Sequence, residues 1–406
     1  MHVKTRIATL ILIALTMTAA RTAGADVVTD ANARAAEIAS KHPGTPPAVR
    51  IMAFVQVSVF EAVNAITGRY PALQAKIAAP PDSSVDAAVA AATRTVLLKL
   101  MPSQGAAIDA DYEAALKLVP DGPAKSKGIA VGEQAATACL ARADDATSPD
   151  TYRPHTTPGV YVPTVLPAVP NWGKRKPWVL SSGAQLRPGP PPALTSETWV
   201  RDYNEIKALG AKNSSQRTPE QTAIARFWEA TAPAVYWPVA RSVATMPGRD
   251  ATANARLLAI AGMAMDDALV AVFDAKYTYN FWRPITAIRS GDLDGNDATE
   301  RDPSWTPFID TPMHPEYPCA HCIVSASLGA VLKAELGTTP SPTLSSTSAL
   351  AGGAVRTWKS VDEFVQEVAV ARIYDGVHYR NSTEVGSAMG KQIGELAVKS
   401  FPKPIR

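Results

Sequence analysis

Apolar positions recur with the three-to-four-residue spacing of an α-helix along most of the chain. The pattern predicts helical structure from 46 to about 99, where a dense apolar segment precedes an alanine-rich one, and further helices over 104–118 and 124–142. Little of this N-terminal half alternates with the two-residue period of a β-strand. The sequence therefore predicts an all-α protein, built as a helical bundle.

Helix-start signals support the same fold class in the C-terminal half. Thr218 precedes Pro219 and lies three residues before Gln221, which predicts an N-cap, a proline at the first helical position and a capping box. Ser360 and Glu363 predict a second capping box, at the start of a helix that reaches about Tyr374.

A proline-rich stretch interrupts the helical pattern. It runs from 144 to 194 and contains the aromatic and basic sequence NWGKRKPW. Segments this long without helix or strand are uncommon in compact domains unless they cover a surface or a site. We therefore predict four parts: residues 1–25, an N-terminal helical region at 26–143, an irregular excursion at 144–194, and a C-terminal helical region at 195–406.

The first 25 residues resemble a secretory signal peptide. Lys4 and Arg6 precede an apolar run over 7–20, and small residues follow it up to Ala25. We expect cleavage near Ala25 and a secreted or periplasmic protein. No later stretch was expected to reach the roughly 20 apolar residues that span a membrane.

Charge balance and cysteine content exclude some classes of partner and of fold. Three of the 40 basic residues lie in the predicted leader, so the remainder balances the 37 acidic residues. A neutral balance argues against nucleic acid as a partner. The three cysteines are too few for a disulfide framework. The sequence does not determine the oligomeric state.

Basic side chains fall on two apolar helical stripes. The stripe that contains Leu258, Met265 and Leu269 continues to Lys276, and Arg283 follows two helical turns later. Arg372 continues the stripe of a later helix, and His378 follows it by six residues. Each basic residue taken alone is better explained by solvent exposure at its tip or by pairing with an acid, and the following acids could serve: Asp266, Asp267 and Asp362.

The segment HPEYPCAHC, residues 314–322, has several interpretations. Cys319 and Cys322 could form a thiol-disulfide oxidoreductase motif, but such a motif needs a preceding strand, and none is predicted. A zinc site lacks a second pair of ligands at the usual spacing. A structural disulfide between the two cysteines would stiffen the loop. The acidic segment 292–302 could bind a cation, although its glycine is misplaced for an EF-hand.

Three blocks together resemble one superfamily. They are KYTYNFWRP from Lys276, PCAH from Pro318, and ARIYDGVHYRNS from Ala371. In order and spacing they are similar to the signature of the vanadium-dependent haloperoxidases and type 2 phosphatidic acid phosphatases, which reads K-x(6)-R-P, P-S-G-H and S-R-x(5)-H-x(3)-D. The segments FEAVNAI, FWRPITAIR and HPEYP are similar to the soluble branch, whose members resemble vanadium chloroperoxidase.

The resemblance implies an all-helical fold and the roles of particular residues. Lys276, Arg283 and Arg372, with Cys319 and Ala320, would bind an oxyanion, either vanadate or the phosphate of a substrate. His378 would ligate vanadium or attack phosphorus, His321 would act as the acid-base group, and Lys276 would also assist catalysis. His314 occupies a place near the halide, where a basic residue is more similar to bromoperoxidases.

Four positions depart from the signature. Cys319 replaces its serine, Ala320 its glycine, Ala371 its second serine and Ser382 its aspartate. A thiol is a weaker donor than a hydroxyl, and loss of the aspartate removes the group expected to orient His378. Asp375 is a candidate substitute for this aspartate.

The predicted function is oxidation of halide by hydrogen peroxide with vanadate as cofactor. One alternative is an exported acid phosphatase, which acts on phosphate monoesters through a phosphohistidine and needs no cofactor. Others are a non-catalytic oxyanion-binding protein and, on weaker grounds, a thiol-disulfide oxidoreductase.

Overall fold

A computed structural model describes residues 26–143, 152–230 and 233–405. The predicted signal peptide and residues 144–151 of the proline-rich stretch lie outside the described residues. The helices are α1 Val27–Ala39, α2 Thr45–Thr67, α3 Val85–Leu100, α4 Gly105–Lys117, α5 Pro123–Leu140, α6 Glu197–Leu209, α7 Pro219–Trp228, α8 Tyr236–Ala244, α9 Ala251–Tyr279, α10 Pro284–Arg289, α11 Ala320–Leu336, α12 Val361–Tyr374 and α13 Arg380–Ser400.

The described fold is mostly helical, which confirms the predicted class. The helical pattern over 46–99 is in fact two helices, α2 and α3, separated by an irregular segment at 68–84. A short antiparallel hairpin is the exception to the helices. Its strands are β1 Leu344–Ser348 and β2 Ala354–Trp358, which pair in the register Leu344 with Trp358.

Two long apolar helices, α2 and α9, pack against each other in the main core. α2 is the one helix in the described part of the chain that is long and apolar enough to cross a membrane, so the expectation that no segment after the leader would reach this length and hydropathy is wrong. Most of α2 is buried within the protein, where α3, α5 and α9 contact it. A buried core helix has the same composition, because all of its faces contact protein.

α11 and α13 approach each other unusually closely. Three glycines of α13 face α11, and a β-carbon on any of them would clash with α11 backbone: 2.7 Å from the Cys319 oxygen for Gly386, 2.2 Å from the Ile323 oxygen for Gly390, and 2.3 Å from the Ser327 oxygen for Gly394. The absence of side chains at these positions lets the two backbones touch.

Both predicted helix caps are present, one of them in altered form. Thr218 accepts from the Gln221 backbone, and the Gln221 side chain accepts from Thr218. Ser360 likewise accepts from the Glu363 backbone, but the Glu363 carboxylate accepts from the Lys359 backbone, one residue before the cap. The second capping box is therefore shifted rather than reciprocal.

The described part of the proline-rich excursion, from 152 onward, is irregular and lies along α9. The buried carboxylate of Asp267 accepts three backbone N–H groups, from Trp178 at 2.6 Å, Val179 at 2.8 Å and Leu180 at 2.9 Å. Arg187 makes a two-pronged ion pair with Asp274 further along α9. The excursion is thus attached to the same helix that carries Lys276.

Candidate active site

Lys276 lies in the last turn of α9 and is fully buried. Its ammonium donates to the carbonyl oxygens of Pro315 at 3.0 Å and Glu316 at 2.7 Å. α9 ends at Tyr279, because Asn280 adopts a left-handed conformation with φ of 49°. Arg283 is therefore not on a continued helix, as the provisional two-turn spacing assumed, but caps α10.

Arg283 is fully buried and holds two segments together. Its guanidinium donates to the carbonyls of His314 at 2.9 Å and Val377 at 2.7 Å. It also lies 3.4 Å from Nε2 of His378 and 3.0 Å from Nδ1 of His314. Asp266, Asp267 and Asp362 do not neutralise the site cations: Asp266 pairs with Arg50, Asp267 holds the excursion, and Asp362 contacts Lys333.

Arg372 and His378 are positioned by the end of α12. Gly376 follows the helix with φ of 78°, and a β-carbon there would lie 2.3 Å from the Gly210 oxygen, so the turn requires glycine. The His378 N–H donates back to the Arg372 carbonyl at 3.2 Å. The Arg372 guanidinium donates to the Trp228 carbonyl at 2.9 Å and pairs with Asp375 at 2.6 Å.

Glu316 is the residue that the sequence interpretation missed. Its carboxylate lies 2.8 Å from Nδ1 of His378 and also accepts the Tyr379 backbone N–H at 3.1 Å. Asp375 does not orient His378, because its carboxylate pairs with Arg372. Glu316 is the acid of the HPEYP segment, an acid between two prolines beside a basic pocket. Nothing in the local sequence indicates that Glu316 would contact a histidine 62 residues away.

Charge in the site is strongly affected by burial. Burial lowers the pKa of Lys276 well below its usual value, and the nearby Arg283 and Arg372 guanidinium groups lower it further. Burial, followed by Arg283 and Lys276, also lowers the pKa of His378, which favours a neutral ring. Burial raises the pKa of Glu316 to about 7 against the opposing effect of Lys276 and Arg283. Three buried cations repel one another here, so a bound anion would offset their mutual cost.

A cavity of about 320 Å³ opens onto these groups. The residues that line it include Arg372, His378, His321, His314 and Ala320. Its remaining walls are largely apolar and include Leu269, Phe273, Ile309, Met313 and Val324. Lys276 and Arg283 are fully buried and are not among the residues that line the cavity.

His321 presents an unpartnered nitrogen. Its Nε2 is buried and has no hydrogen-bond partner. The Nε of Arg372 is likewise buried and unpartnered. Burial lowers the pKa of His321 well below its usual value, with Arg372 as the next cause. Buried polar atoms without partners are rare in folded proteins, and here two of them belong to residues that line one cavity.

His314 lies at the same cavity but is not a free base. Its Nδ1 is 3.0 Å from Arg283 and 3.1 Å from the Pro315 carbonyl, and its ring packs edge-on against Phe273. Burial lowers its pKa well below the usual value, with Lys276 and Arg283 adding to the effect. A neutral imidazole therefore faces the cavity.

Cys319 and Cys322 form a disulfide in the first turn of α11. Cys319 caps the helix, and its sulfur accepts the Cys322 N–H at 3.1 Å. A disulfide sulfur has no hydrogen to donate, so Cys319 does not replace the hydroxyl donor of the family serine. Both residues are fully buried, whereas thiol exchange requires access of a partner thiol to a sulfur. Neither a redox-active motif nor a zinc site fits this arrangement, and the described residues contain no cluster of metal ligands.

Ser382 occupies the position of the family aspartate and lies beside Glu316. Its proximity lowers the pKa of Glu316, against the larger effect of burial. The Ser382 hydroxyl has no hydrogen-bond partner. The Ser382 carbonyl accepts the Cys319 N–H at 3.1 Å.

In the acidic segment 292–302, the buried Asp294 accepts from Trp199 at 2.9 Å and from Thr299 at 2.6 Å. The Asp294 carboxylate therefore forms hydrogen bonds within the protein.

These groups fit a tetrahedral oxyanion such as vanadate or phosphate. The site offers three buried cations, an unpartnered Arg372 Nε and the N-terminus of α11, whose first N–H groups have no acceptor within the helix. A second cavity, of about 260 Å³ between α1, α3 and α4, has mostly apolar walls and lies away from these cations.

Fold and site together define a helical-bundle protein with a buried cluster of basic side chains and histidines. The family model of the second helical-bundle domain of vanadium chloroperoxidase matches residues 256–406. The vanadium chloroperoxidase of Curvularia inaequalis is 26% identical over 185 residues, which cover 37% of this chain and 30% of that enzyme. Both likenesses support the resemblance to vanadium-dependent haloperoxidases that the sequence motifs indicate.

Solved structures extend the similarity to nearly the whole chain. The first bacterial vanadium-dependent iodoperoxidase superposes with a TM-score of 0.79 at 26% identity, covering 92% of this chain and 96% of that one. A holo-type bacterial vanadium-dependent chloroperoxidase superposes with a TM-score of 0.70 at 16% identity, covering 90% and 95%. The second likeness shows the fold alone.

Proposed function

We propose that this protein is a vanadate-dependent haloperoxidase, which oxidises halide with hydrogen peroxide. The observation that carries the proposal is the set of three buried cations, Lys276, Arg283 and Arg372, gathered around a neutral His378. A multiply charged oxyanion is the natural counterion for such a set. The likeness to vanadium-dependent haloperoxidases over most of the chain supports the same activity.

The residues that would hold vanadate are those that can donate to its oxygens or ligate it. Arg372 offers its Nε, and Lys276 and Arg283, which do not line the cavity, contribute charge. Backbone N–H groups at the start of α11, next to Ala320, add donors. Nε2 of His378 faces the cations with its lone pair and is the candidate ligand. Bound vanadate supplies the Lewis-acidic centre that activates hydrogen peroxide toward attack by halide.

His321 is the candidate acid-base residue. Its Nε2 is buried and has no hydrogen-bond partner, so this atom is available to exchange a proton. Hydrogen peroxide must lose a proton when it is activated, and a positioned imidazole can accept that one proton and later return it. The lowered pKa of His321 keeps it unprotonated before the substrate arrives.

The cavity determines how much water reaches the basic side chains and the histidines. Its apolar walls exclude much of the water, which strengthens the interaction of the cations with a bound anion. His314, whose ring packs against Phe273, lines the same cavity and is the candidate residue near the halide.

A phosphatase reaction is the second candidate. The observation in its favour is the unprotonated Nε2 of His378, which is also the form needed for nucleophilic attack on phosphorus. His321 would then protonate the leaving alcohol. The two reactions use the same side chains, so assays must separate them.

Paired assays test the proposal. Purified protein, loaded with orthovanadate, is mixed with hydrogen peroxide and iodide, bromide or chloride, and halogenation of a phenolic dye is followed. Hydrolysis of p-nitrophenyl phosphate is measured without vanadate. Each assay is repeated on His378→Ala and on His155→Ala, an exposed histidine, as the matched control. We expect vanadate-dependent halogenation that His378→Ala abolishes and His155→Ala retains.

Other outcomes overturn the proposal. Phosphate release that depends on His378, without halogenation, would assign the protein to the phosphatases. Vanadate binding without either reaction would indicate a non-catalytic oxyanion-binding protein.

We also propose export from the cytoplasm. The apolar run over 7–20 supports it, and so does the disulfide between Cys319 and Cys322, because disulfides persist mainly in oxidising compartments. N-terminal sequencing of protein recovered outside the cytoplasm should begin close to Asp26. Recovery of the uncleaved chain from the cytoplasm alone would overturn this proposal.

A further inference from the structure

The contact between Glu316 and His378 joins two distant loops at the centre of the site. Glu316 lies in the loop before α11, and His378 lies between α12 and α13. Both side chains are fully buried, and Oε1 of Glu316 is 2.8 Å from Nδ1 of His378. Neither group has solvent as an alternative partner, so the contact determines how the ring is oriented.

The two ring nitrogens of His378 have partners of opposite type. Arg283 is a guanidinium and can only donate, so Nε2, at 3.4 Å from its NH1, must be an acceptor. The carboxylate of Glu316 accepts, so Nδ1 must carry the hydrogen. Glu316 and Arg283 therefore select the same tautomer, with the Nε2 lone pair directed at the oxyanion site.

Glu316 is itself held firmly. Its backbone N–H donates to the Phe281 carbonyl at 2.9 Å, its carbonyl accepts from Lys276 at 2.7 Å, and Oε1 also accepts the Tyr379 N–H at 3.1 Å. The last of these bonds ties the carboxylate to the residue that follows His378. An acid fixed in this way can orient an imidazole without moving.

Ser382 explains why a glutamate is needed here. It lies beside the Glu316 carboxylate, is almost fully buried, and has no hydrogen-bond partner for its hydroxyl. The hydroxyl of Ser382 carries no charge, so it cannot supply the negative charge that the family aspartate would place near the ring. The negative charge next to the ring comes instead from the opposite loop.

We propose that Glu316 is the positioning residue for His378: it fixes the Nδ1–H tautomer, so that Nε2 is directed at the bound oxyanion. This inference rests on the oxyanion site of the proposed function but not on which reaction occurs there. Residues that hold a metal-binding histidine in one orientation typically affect affinity by about 10- to 100-fold when they are removed.

The test uses Glu316→Ala and the relocated variant Glu316→Ala/Ser382→Asp. Two quantities are measured on the full chain: the His378 tautomer in vanadate-free protein, by ¹⁵N-histidine NMR, and the dissociation constants of orthovanadate and of inorganic phosphate. The His378 signal is assigned by its loss in His378→Ala. Glu335→Ala serves as the matched control, since Glu335 also holds two basic groups, Arg249 and Arg256, outside the site.

We expect Glu316→Ala to lose the single Nδ1–H tautomer and to bind both anions about 10- to 100-fold more weakly. Ser382→Asp should restore the tautomer and at least part of the affinity, which a purely structural role for Glu316 would not allow. Glu335→Ala should leave the tautomer and both affinities unchanged. Retention of the Nδ1–H tautomer and of wild-type affinity in Glu316→Ala would overturn the proposal, as would failure of Ser382→Asp to restore either.

A further variant covers the case in which Glu316→Ala does not fold. Glu316→Gln keeps an oxygen acceptor and removes the charge, so it should retain the tautomer but bind anions more weakly, whereas wild-type affinity would contradict the proposal. If wild-type protein binds neither anion, the proposed function fails, and the NMR tautomer still decides the role of Glu316.

Discussion

Gly390 of α13 lies directly against Ile323 of α11, so that a β-carbon on the glycine would be 2.2 Å from the Ile323 carbonyl oxygen. α11 carries His321 in its first turn, and α13 begins two residues after His378. The close contact of these two helices therefore determines how far apart the two histidines of the site lie.

Substitution of Gly390 by alanine should push the helices apart. We expect Gly390→Ala to lower the free energy of unfolding by about 2–3 kcal/mol, because the added methyl group meets backbone that cannot give way. Urea denaturation measures the change. Gly105→Ala is the control, since the nearest atom to its added carbon is a Leu98 methyl at 3.9 Å; it should be neutral or stabilising by up to about 1 kcal/mol. Equal stability of both variants would contradict the close packing.

Thiol chemistry should distinguish the three cysteines. Cys139 is the free cysteine among the described residues, and burial raises the pKa of its thiol to about 12. Since the thiolate is the reactive form, the folded protein should show no thiol that reacts with Ellman's reagent. One should react in denaturant, and three after reduction. Three reactive thiols in denaturant without reductant would mean that Cys319 and Cys322 are not bonded.

Oxyanions should stabilise the folded protein. A ligand at 100 times its dissociation constant adds about 2.7 kcal/mol to the unfolding free energy, so orthovanadate and phosphate should raise the melting temperature. Arg283→Met should lose most of this increase. Arg301→Met, which removes a half-exposed arginine, should keep it. An undiminished increase in Arg283→Met would place the bound anion elsewhere.

Asp267 should make stability depend on pH in an unusual direction. Burial raises its pKa to about 7, against the three backbone donors. An acid with a raised folded pKa contributes stability that is complete below its unfolded value of about 3.9 and is lost as pH rises through the folded value. Asp267→Asn removes this contribution and one acceptor for the excursion. The melting-temperature difference between wild type and variant should therefore be largest near pH 4 and should narrow toward pH 8, and a constant difference would contradict the shift.

The helices could be predicted from local spacing, whereas the grouping of Lys276, Arg283 and Arg372 in one site was implied by the resemblance of three motifs to a known family. Lys276 and Arg372 continue apolar stripes of single helices, and the structure buries both. Gly376 and the end of α12 before His378 also follow from local signals.

What could not be predicted depends on contacts between distant segments. Glu316 meets His378 across 62 residues, and Asp375, which is closer in sequence to His378, pairs with Arg372 instead. Asp266 and Asp267 were expected to be available to the site cations, but Arg50 and the excursion use them. In each case a nearby acid was the obvious partner, and tertiary packing selected another.

The hairpin between α11 and α12 ends in an exposed pair, Gly352 and Gly353, where added side chains would meet open space. Every site residue contributed by α9, α10 and α11 lies before this turn, while Arg372 and His378 lie after it. A chain cut there would give two fragments, each with only part of the proposed oxyanion site. Neither fragment alone would hold all of its side chains, so recovery of oxyanion binding on mixing would report directly on reassembly of the two pieces.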